Sequence, residues 1–235
     1  MINKILNFFG FAIFKKSNYK KAFSNEKKDI KLLEVLNNAK GILHLGAHRG
    51  DEAEVYNWFN KKVIWFEANP DIFIKLKDNL KVYRYQDCFC ALLGNEEGVY
   101  KDFYISNNDS ASSSIFQFSK ETLSGKYFPG RKLKMNKKKS LKMRKLDNVL
   151  EENQISLIDY DHWVIDLQGA ELLALKGAEN SIKFCNSIYI EVSNVDIYHG
   201  GVKWEEIKSW LNERNFFHLN TLDKNHTDIL FIRND

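Results

Sequence analysis

The chain has 235 residues, 44% of them hydrophobic, with 14% aromatics and two prolines, which suits one sizeable ordered core. Three cysteines, Cys88, Cys90 and Cys185, exclude a disulfide framework and fit a reducing compartment. The formal charge of +4 is uneven: residues 126–145 hold ten Lys or Arg and no acid, while the remainder has an excess of six acids, which excludes a uniformly basic, nucleic-acid-binding surface.

In chain order, residues 1–21 are basic around a short apolar centre, Leu6–Phe14. That centre is roughly half of what a membrane-spanning helix needs, and no small-residue cleavage site follows it. Two readings stand: a helix packed on the domain, or an amphipathic segment resting on anionic lipid with its lysines at the headgroups. The expected location is cytoplasmic, peripheral at the inner face of the membrane under the second reading. The expected organisation is an N-terminal segment over 1–39, then one domain over 40–235 with a basic insertion at about 106–146.

Ser24 can cap a helix running to Asn38. Strands are expected over 42–47, 62–68 and 81–86, with helices over 51–59 and 69–80; the second helix has Asn69 as its cap and Pro70 at its first position. This alternation implies an α/β, doubly wound, mostly parallel sheet. The segments flanking "GNEEG" read as a hairpin, and "NNDSASSSIF" as a polar loop before the basic run. The rhythm then resumes: strand 162–168, helix 169–182, strand 187–193, helix 203–214 and a closing hairpin.

In such a sheet, ligands bind beyond the carboxyl ends of the strands, where strand order reverses. Gly46 ends the first strand, and Gly46 and Gly50 would let backbone approach a ligand. Glu67 ends the second strand about twenty residues on, where an acid accepts hydrogen bonds from both hydroxyls of a ribose. Asp51 and Glu52 in the intervening helix start would repel a pyrophosphate. They would not repel a sulfonium nucleoside, so S-adenosylmethionine is expected rather than a dinucleotide.

"VIDLQGAELLALKGA" is the second constellation. Asp166 closes an apolar strand, and Glu191 ends the next one in "IYIEVSN", so both are expected at the same sheet edge. They could bind an acceptor's hydroxyls, or one could serve as a base. Either could also cap a loop, and Glu171 could simply satisfy the amides of its helix. His199, in "DIYHGG", and His48, in the glycine turn, are further candidate bases, whereas His44 reads as a hydrogen-bonded core residue. Nothing has metal-ligand spacing, so no metal is expected.

Together, "LGAHRGDEAEVY", "WFEANP", "ALLGNEEG", "SASSSIF", "KLDNVL", "IDLQGAELLALKGA" and "YIEVSNVDIYHGG" resemble, in order, the FkbM family of S-adenosylmethionine-dependent methyltransferases, over roughly residues 40–220. The resemblance implies a class I methyltransferase (Rossmann-like) fold of about seven strands with a C-terminal antiparallel hairpin. It also implies O-methylation of sugars, glycans or related acceptors. It makes Gly46, Ala47, His48 and Gly50 the cofactor loop, and Glu67, beside Ala68, the ribose ligand. Asp87, Cys88 and the residues to Ala91 become the adenine edge, Ser113 lies in a loop by the cofactor or acceptor, and Asp166 is the acid below the reacting centre. The family usually has an acid where His44 stands, and a Lys where Val164 stands.

The basic segment could clamp an anionic acceptor or be a solvated arm. Nucleic acid is not expected as a partner, because the aromatics are not interleaved with the basic run as base stacking requires. The alternatives are a non-catalytic nucleoside-binding subunit in glycan assembly, or an RNA methyltransferase.

Overall fold

The structure, a computed structural model, describes residues 26–219 and 225–234. The expectations for residues 1–25, the lipid-contacting segment and the Ser24 cap among them, lie outside the described residues. The chain divides into a unit ending at Val35 and one beginning at Leu36. Helix α1 (Glu26–Asn38) contains neither Gly nor Pro and carries a Lys31–Glu34 pair one turn apart, at 3.0 Å. Among the described residues, no helix is long and apolar enough to cross a membrane.

Strands β1 (Gly41–Leu45) and β2 (Lys62–Glu67) are buried on both faces, apart from Lys62, as central parallel strands must be. Between them lies α2 (Ala53–Trp58), and after β2 comes α3 (Pro70–Leu80). The Asn69 side chain caps α3 by accepting from the Asp71 amide at 3.2 Å. Then follow β3 (Gln86–Cys90), β4 (Leu92–Leu93), β5 (Tyr100–Ser106), the short α4 (Lys120–Leu123), β6 (Met135–Arg144) and α5 (Leu146–Glu152). The chain closes with β7 (His162–Ile165), α6 (Glu171–Lys176), β8 (Ser187–Ser193), α7 (Trp204–Asn212), β9 (Phe216–His218) and β10 (His226–Arg233).

The main sheet has the order β3-β2-β1-β7-β8-β10-β9, with β10 antiparallel to both neighbours and the other pairs parallel. The expected doubly wound sheet of seven strands with its antiparallel hairpin is therefore present. One face carries Leu43, Leu45, Phe66, Ile165 and Ile190, packed with residues of α5, α6 and α7 in the largest core cluster. On the other face, His44 stacks on Trp65 with ring centroids 4.5 Å apart and meets the Tyr56 hydroxyl of α2 at 3.1 Å. Burial lowers the His44 pKa to about 3, so it is the neutral, hydrogen-bonded core residue expected.

Several boundaries differ from the sequence reading, among them the strand expected over 162–168, which stops at Ile165. The third strand begins at Gln86 rather than ending there. Val82 is 80% exposed, whereas Gln86 is buried, accepting from the Trp65 indole at 3.0 Å and donating to the Ala53 carbonyl at 2.8 Å. The segments around "GNEEG" do not pair as a hairpin, because the lysine-rich β6 lies between them, parallel to β4 and antiparallel to β5. Its residues Lys137, Lys139, Leu141 and Met143 share one face, and Met143 is fully buried beside Leu92 and Phe103. The helix expected over 169–182 stops at Lys176, where Gly177 follows, and resumes as a single turn over Ser181–Phe184.

Candidate functional site

Strand order reverses between β1 and β7, and a cleft of about 640 Å³, partly open to solvent, lies beyond their carboxyl ends. At its floor the chain leaves β1 with the Gly46 and Ala47 amides both bonded to the Phe66 carbonyl, at 3.0 and 2.9 Å. Gly46 has φ +93, and a Cβ there would fall on the Asp166 carbonyl oxygen. Gly50 has φ +72, and a Cβ there would lie 2.8 Å from Leu76 Cδ1. Both glycines are thus required by the protein's own packing. Gly46 lines the cleft, whereas Ala47 is buried and, with Gly50, lies off the cleft surface.

Glu67 is placed as expected. One carboxylate oxygen accepts from the Asn69 amide at 2.7 Å and the other from the His48 amide at 2.8 Å. Each oxygen keeps a further acceptor site, and Glu67 and Ala68 both line the cleft. Burial raises the Glu67 pKa, while these amide bonds oppose that shift. The two donors fix the plane of the carboxylate before any ligand arrives.

The roof is the loop between β5 and α4. Asp109 and Ser110 have left-handed backbones, φ 59 and 67. Asp109 forms an ion pair with Arg49, has Lys75 at 3.8 Å, and offers its carbonyl to His48 Nε2 at 2.9 Å. Ser110, Ala111 and Ser113 face the cleft, and Ser113 Oγ accepts from the Ser106 amide at 3.1 Å. The loop is therefore latched to the glycine turn across the mouth. Because His48 Nε2 donates to a carbonyl, that nitrogen is not free to accept a proton. Burial, ahead of the opposing charge of Glu67, lowers the His48 pKa.

On the far side, Asp166 lines the cleft and Gln168 follows it. The Gln168 amide nitrogen donates to Asp166 and to Glu191, the latter at 3.1 Å. Burial, then the neighbouring Glu191 charge, raises the Asp166 pKa well above the usual carboxylate range. Burial, then the charges of Glu171 and Asp228, raises Glu191 to about 8. Glu171 is raised to about 7 by burial, and its Oε1 accepts from the Leu167 and Gly169 amides, each at 3.0 Å. It satisfies the amides of its own turn. The oxygens of these three acids lie within 4.8 Å of one another, a spacing a cation could share, but the protein's own N–H groups already bond to each.

The remaining candidates sit elsewhere. Glu191 lies behind Asp166, in a pocket shared with Tyr198 and His226, and its carboxylate is 3.0 Å from His226 Nε2. Asp87 and Cys88 occupy the amino-terminal half of β3 and face a separate hollow with Lys77 and Tyr160. Ala91, which follows β3, and Leu92, which opens β4, line the cleft instead. His199 lies on a groove with Tyr104, Phe116 and Asp196, and Ile115 lines both that groove and the cleft.

Sequence reasoning missed Arg49 and Asp109, whose pairing spans 60 positions, and it missed Tyr198. It also passed over Gln168, whose one signal was a polar side chain between Asp166 and Glu171.

The description "Methyltransferase FkbM domain" matches residues 44–217. No curated protein matches the chain. Among solved structures, a precorrin-6y C5,15-methyltransferase from Geobacter metallireducens is 12% identical, over 88% of this chain and 88% of that one, at a TM-score of 0.45. An rRNA methylase from Streptococcus thermophilus is 9% identical, over 95% and 100%, at 0.43. A magnesium protoporphyrin IX methyltransferase from Synechocystis PCC 6803 with bound S-adenosylmethionine is 7% identical, over 96% and 88%, at 0.43.

Proposed function

Because the chain belongs to the FkbM methyltransferase family, and S-adenosylmethionine is accordingly its methyl donor, we propose that it methylates a hydroxyl of a sugar or glycan that carries negative charge. The observation that carries the reading is Glu67, clamped by two amides at the mouth of β2, across the cleft from Asp166. A carboxylate fixed in this way, with an acceptor site left on each oxygen, suits a ribose diol. The donor brings a methyl group already activated for displacement, so the protein's task is mainly to align and to deprotonate.

Alignment falls to the two walls. Glu67 and the glycine turn hold the nucleoside end, while the loop around Ser113 excludes water from above. Asp166 borders the cleft where an acceptor hydroxyl would arrive, which makes its carboxylate the group placed to take that hydroxyl's proton. Glu191 touches no cleft surface and supports Asp166 from behind through Gln168.

The acceptor enters, in this reading, along the groove that adjoins the cleft at Ile115. Its Tyr104 and Phe116 offer ring faces to a sugar, and His199 offers a hydrogen bond. Tyr104 pairs across the small sheet with Lys138, so both stand on one face of it. Farther along β6 on that face is Lys142, which makes no ion pair among the described residues, whereas Lys138 is held by Asp102 at 2.7 Å. These charges favour an anionic acceptor over a neutral one.

The test is release of S-adenosylhomocysteine on addition of uronic-acid or phosphorylated oligosaccharides, measured as salt is raised. The acceptor KM should climb steeply with ionic strength while donor affinity stays nearly constant. A flat acceptor response removes the anionic clamp, and absence of release with any glycan removes the acceptor class.

A further inference from the structure

Gln168 has φ 55, a left-handed backbone that a non-glycine residue adopts only when its surroundings hold it there. Here four contacts do so. Its main-chain carbonyl accepts from Ser114 Oγ at 2.8 Å. Its side-chain oxygen accepts from the Tyr198 hydroxyl, and its nitrogen gives one proton to Asp166 and one to Glu191. Tyr198 is itself immobilised, 5% exposed and stacked on Phe118 with ring centroids 5.4 Å apart.

The partners leave the amide one orientation. The two carboxylates call for the NH₂ group, which leaves the amide oxygen to the Tyr198 hydroxyl, itself also 3.3 Å from the Ser112 carbonyl. One planar group therefore ties the carboxyl just beyond β7 to the carboxyl near the end of β8. Facing this pair are Glu171 from α6, His226 and Asp228 from β10, and Tyr198 from the loop after β8. Without a donor between them, two buried acids this close retain a proton, since like charges in a low dielectric cannot both form. A donor to each favours the ionised form.

We propose that Gln168 is a positioning residue: it sets the separation of the Asp166–Glu191 pair and makes it easier for the pair to give up its protons, and it holds Asp166 at the cleft in one orientation. The assignment of Asp166 as proton acceptor rests on the proposed function, whereas the bridging role does not.

The experiment separates the two. Full-length protein is labelled with ¹³C at the Asp and Glu carboxyls, and the Asp166 and Glu191 signals are followed against pH in wild type, Gln168→Met and Tyr198→Phe. Methionine keeps the length of the side chain without its donors, so the pair's midpoints should move up by about one pH unit. Tyr198→Phe leaves the amide in place but unanchored, and should give a smaller shift in the same direction. Calorimetry with S-adenosylhomocysteine reports in parallel whether the donor site is intact, and a loss of about threefold or less is expected, because Gln168 borders the cleft without bonding to Glu67 and Tyr198 lies behind it.

Midpoints unchanged in both variants overturn the proposal, even if turnover falls. The acidic limb of turnover is read on a uronic-acid oligosaccharide mixture. If the midpoints move and this limb does not, Gln168 keeps its positioning role and Asp166 loses its role as base. If that mixture is not methylated at all, the acceptor reading fails while the titration still decides the role of Gln168.

Discussion

Gly46 and Asp166 meet so closely at the β1–β7 junction that the Asp166 carbonyl oxygen fills the place of a Gly46 side chain. Their contact sets the floor of the cleft and the position of the acid at once. Gly46→Ala combines an impossible contact with a strained φ of +93, and β7 would have to retreat. The expected outcome is a loss of about 3 kcal/mol or more of stability, or failure to fold, read by urea denaturation. Gly50→Ala meets a movable Leu76 side chain and should cost less, about 1–2 kcal/mol.

Glu67→Ala removes the proposed ribose ligand and leaves the His48 and Asn69 amides without their acceptor. Affinity for S-adenosylhomocysteine should fall by roughly 10- to 100-fold by calorimetry, about 1.4–3 kcal/mol. Retention of wild-type affinity would place the ribose elsewhere.

The Arg49–Asp109 latch is half-exposed, so breaking it should change stability by only about 0–1 kcal/mol. Its effect should appear in kinetics. Asp109→Ala also frees the left-handed turn of the roof loop, and the dissociation rate of S-adenosylhomocysteine should rise about 3- to 10-fold by stopped-flow fluorescence. Raising salt should move wild type toward the variant, because the pair is accessible to ions.

Glu191 is raised to about 8 in the folded protein, well above its value in an unfolded chain. Between about pH 4.5 and 8 the native state therefore holds more protons than the unfolded state, so this group's contribution to stability is complete below about 4.5 and is lost as pH rises through 8. Glu191→Gln cannot lose that proton. Its unfolding free energy, relative to wild type, should improve steadily from pH 5 to about pH 8 and then level off, as read by denaturant titration at each pH.

The order of the main elements was legible because each carries a local signature. The buried run "GILHL" can only be a central strand, and Asn69-Pro70-Asp71 announces a helix start. The position of Glu67 was legible for the same reason, since it ends a strand. What escaped was non-local or conformational. The insertion of β6 between β4 and β5 depends on Leu141 and Met143 finding Leu92 and Phe103, which no spacing along the chain reveals. Gln168 was hidden because a left-handed backbone at a non-glycine residue leaves no mark in composition. Asp87 and Cys88 were misplaced by the shifted start of β3, which carries Ala91 rather than either of them to the cleft.

The small sheet meets the main body at a point where the Gly177 Cα faces the Gly94 carbonyl, with no room for a side chain between them. Gly94 directly follows β4, and its amide bonds to the Arg144 carbonyl at the end of β6, at 3.0 Å. This glycine contact is one of the points that fix the small sheet to the main body; the Lys139–Asp71 pair, at 2.8 Å, and the packing of Ala68 against Leu92, Phe103 and Met143 are others. A side chain at Gly177 would wedge β4 away from the main body, and the roof loop that the small sheet carries over the cleft would move with it.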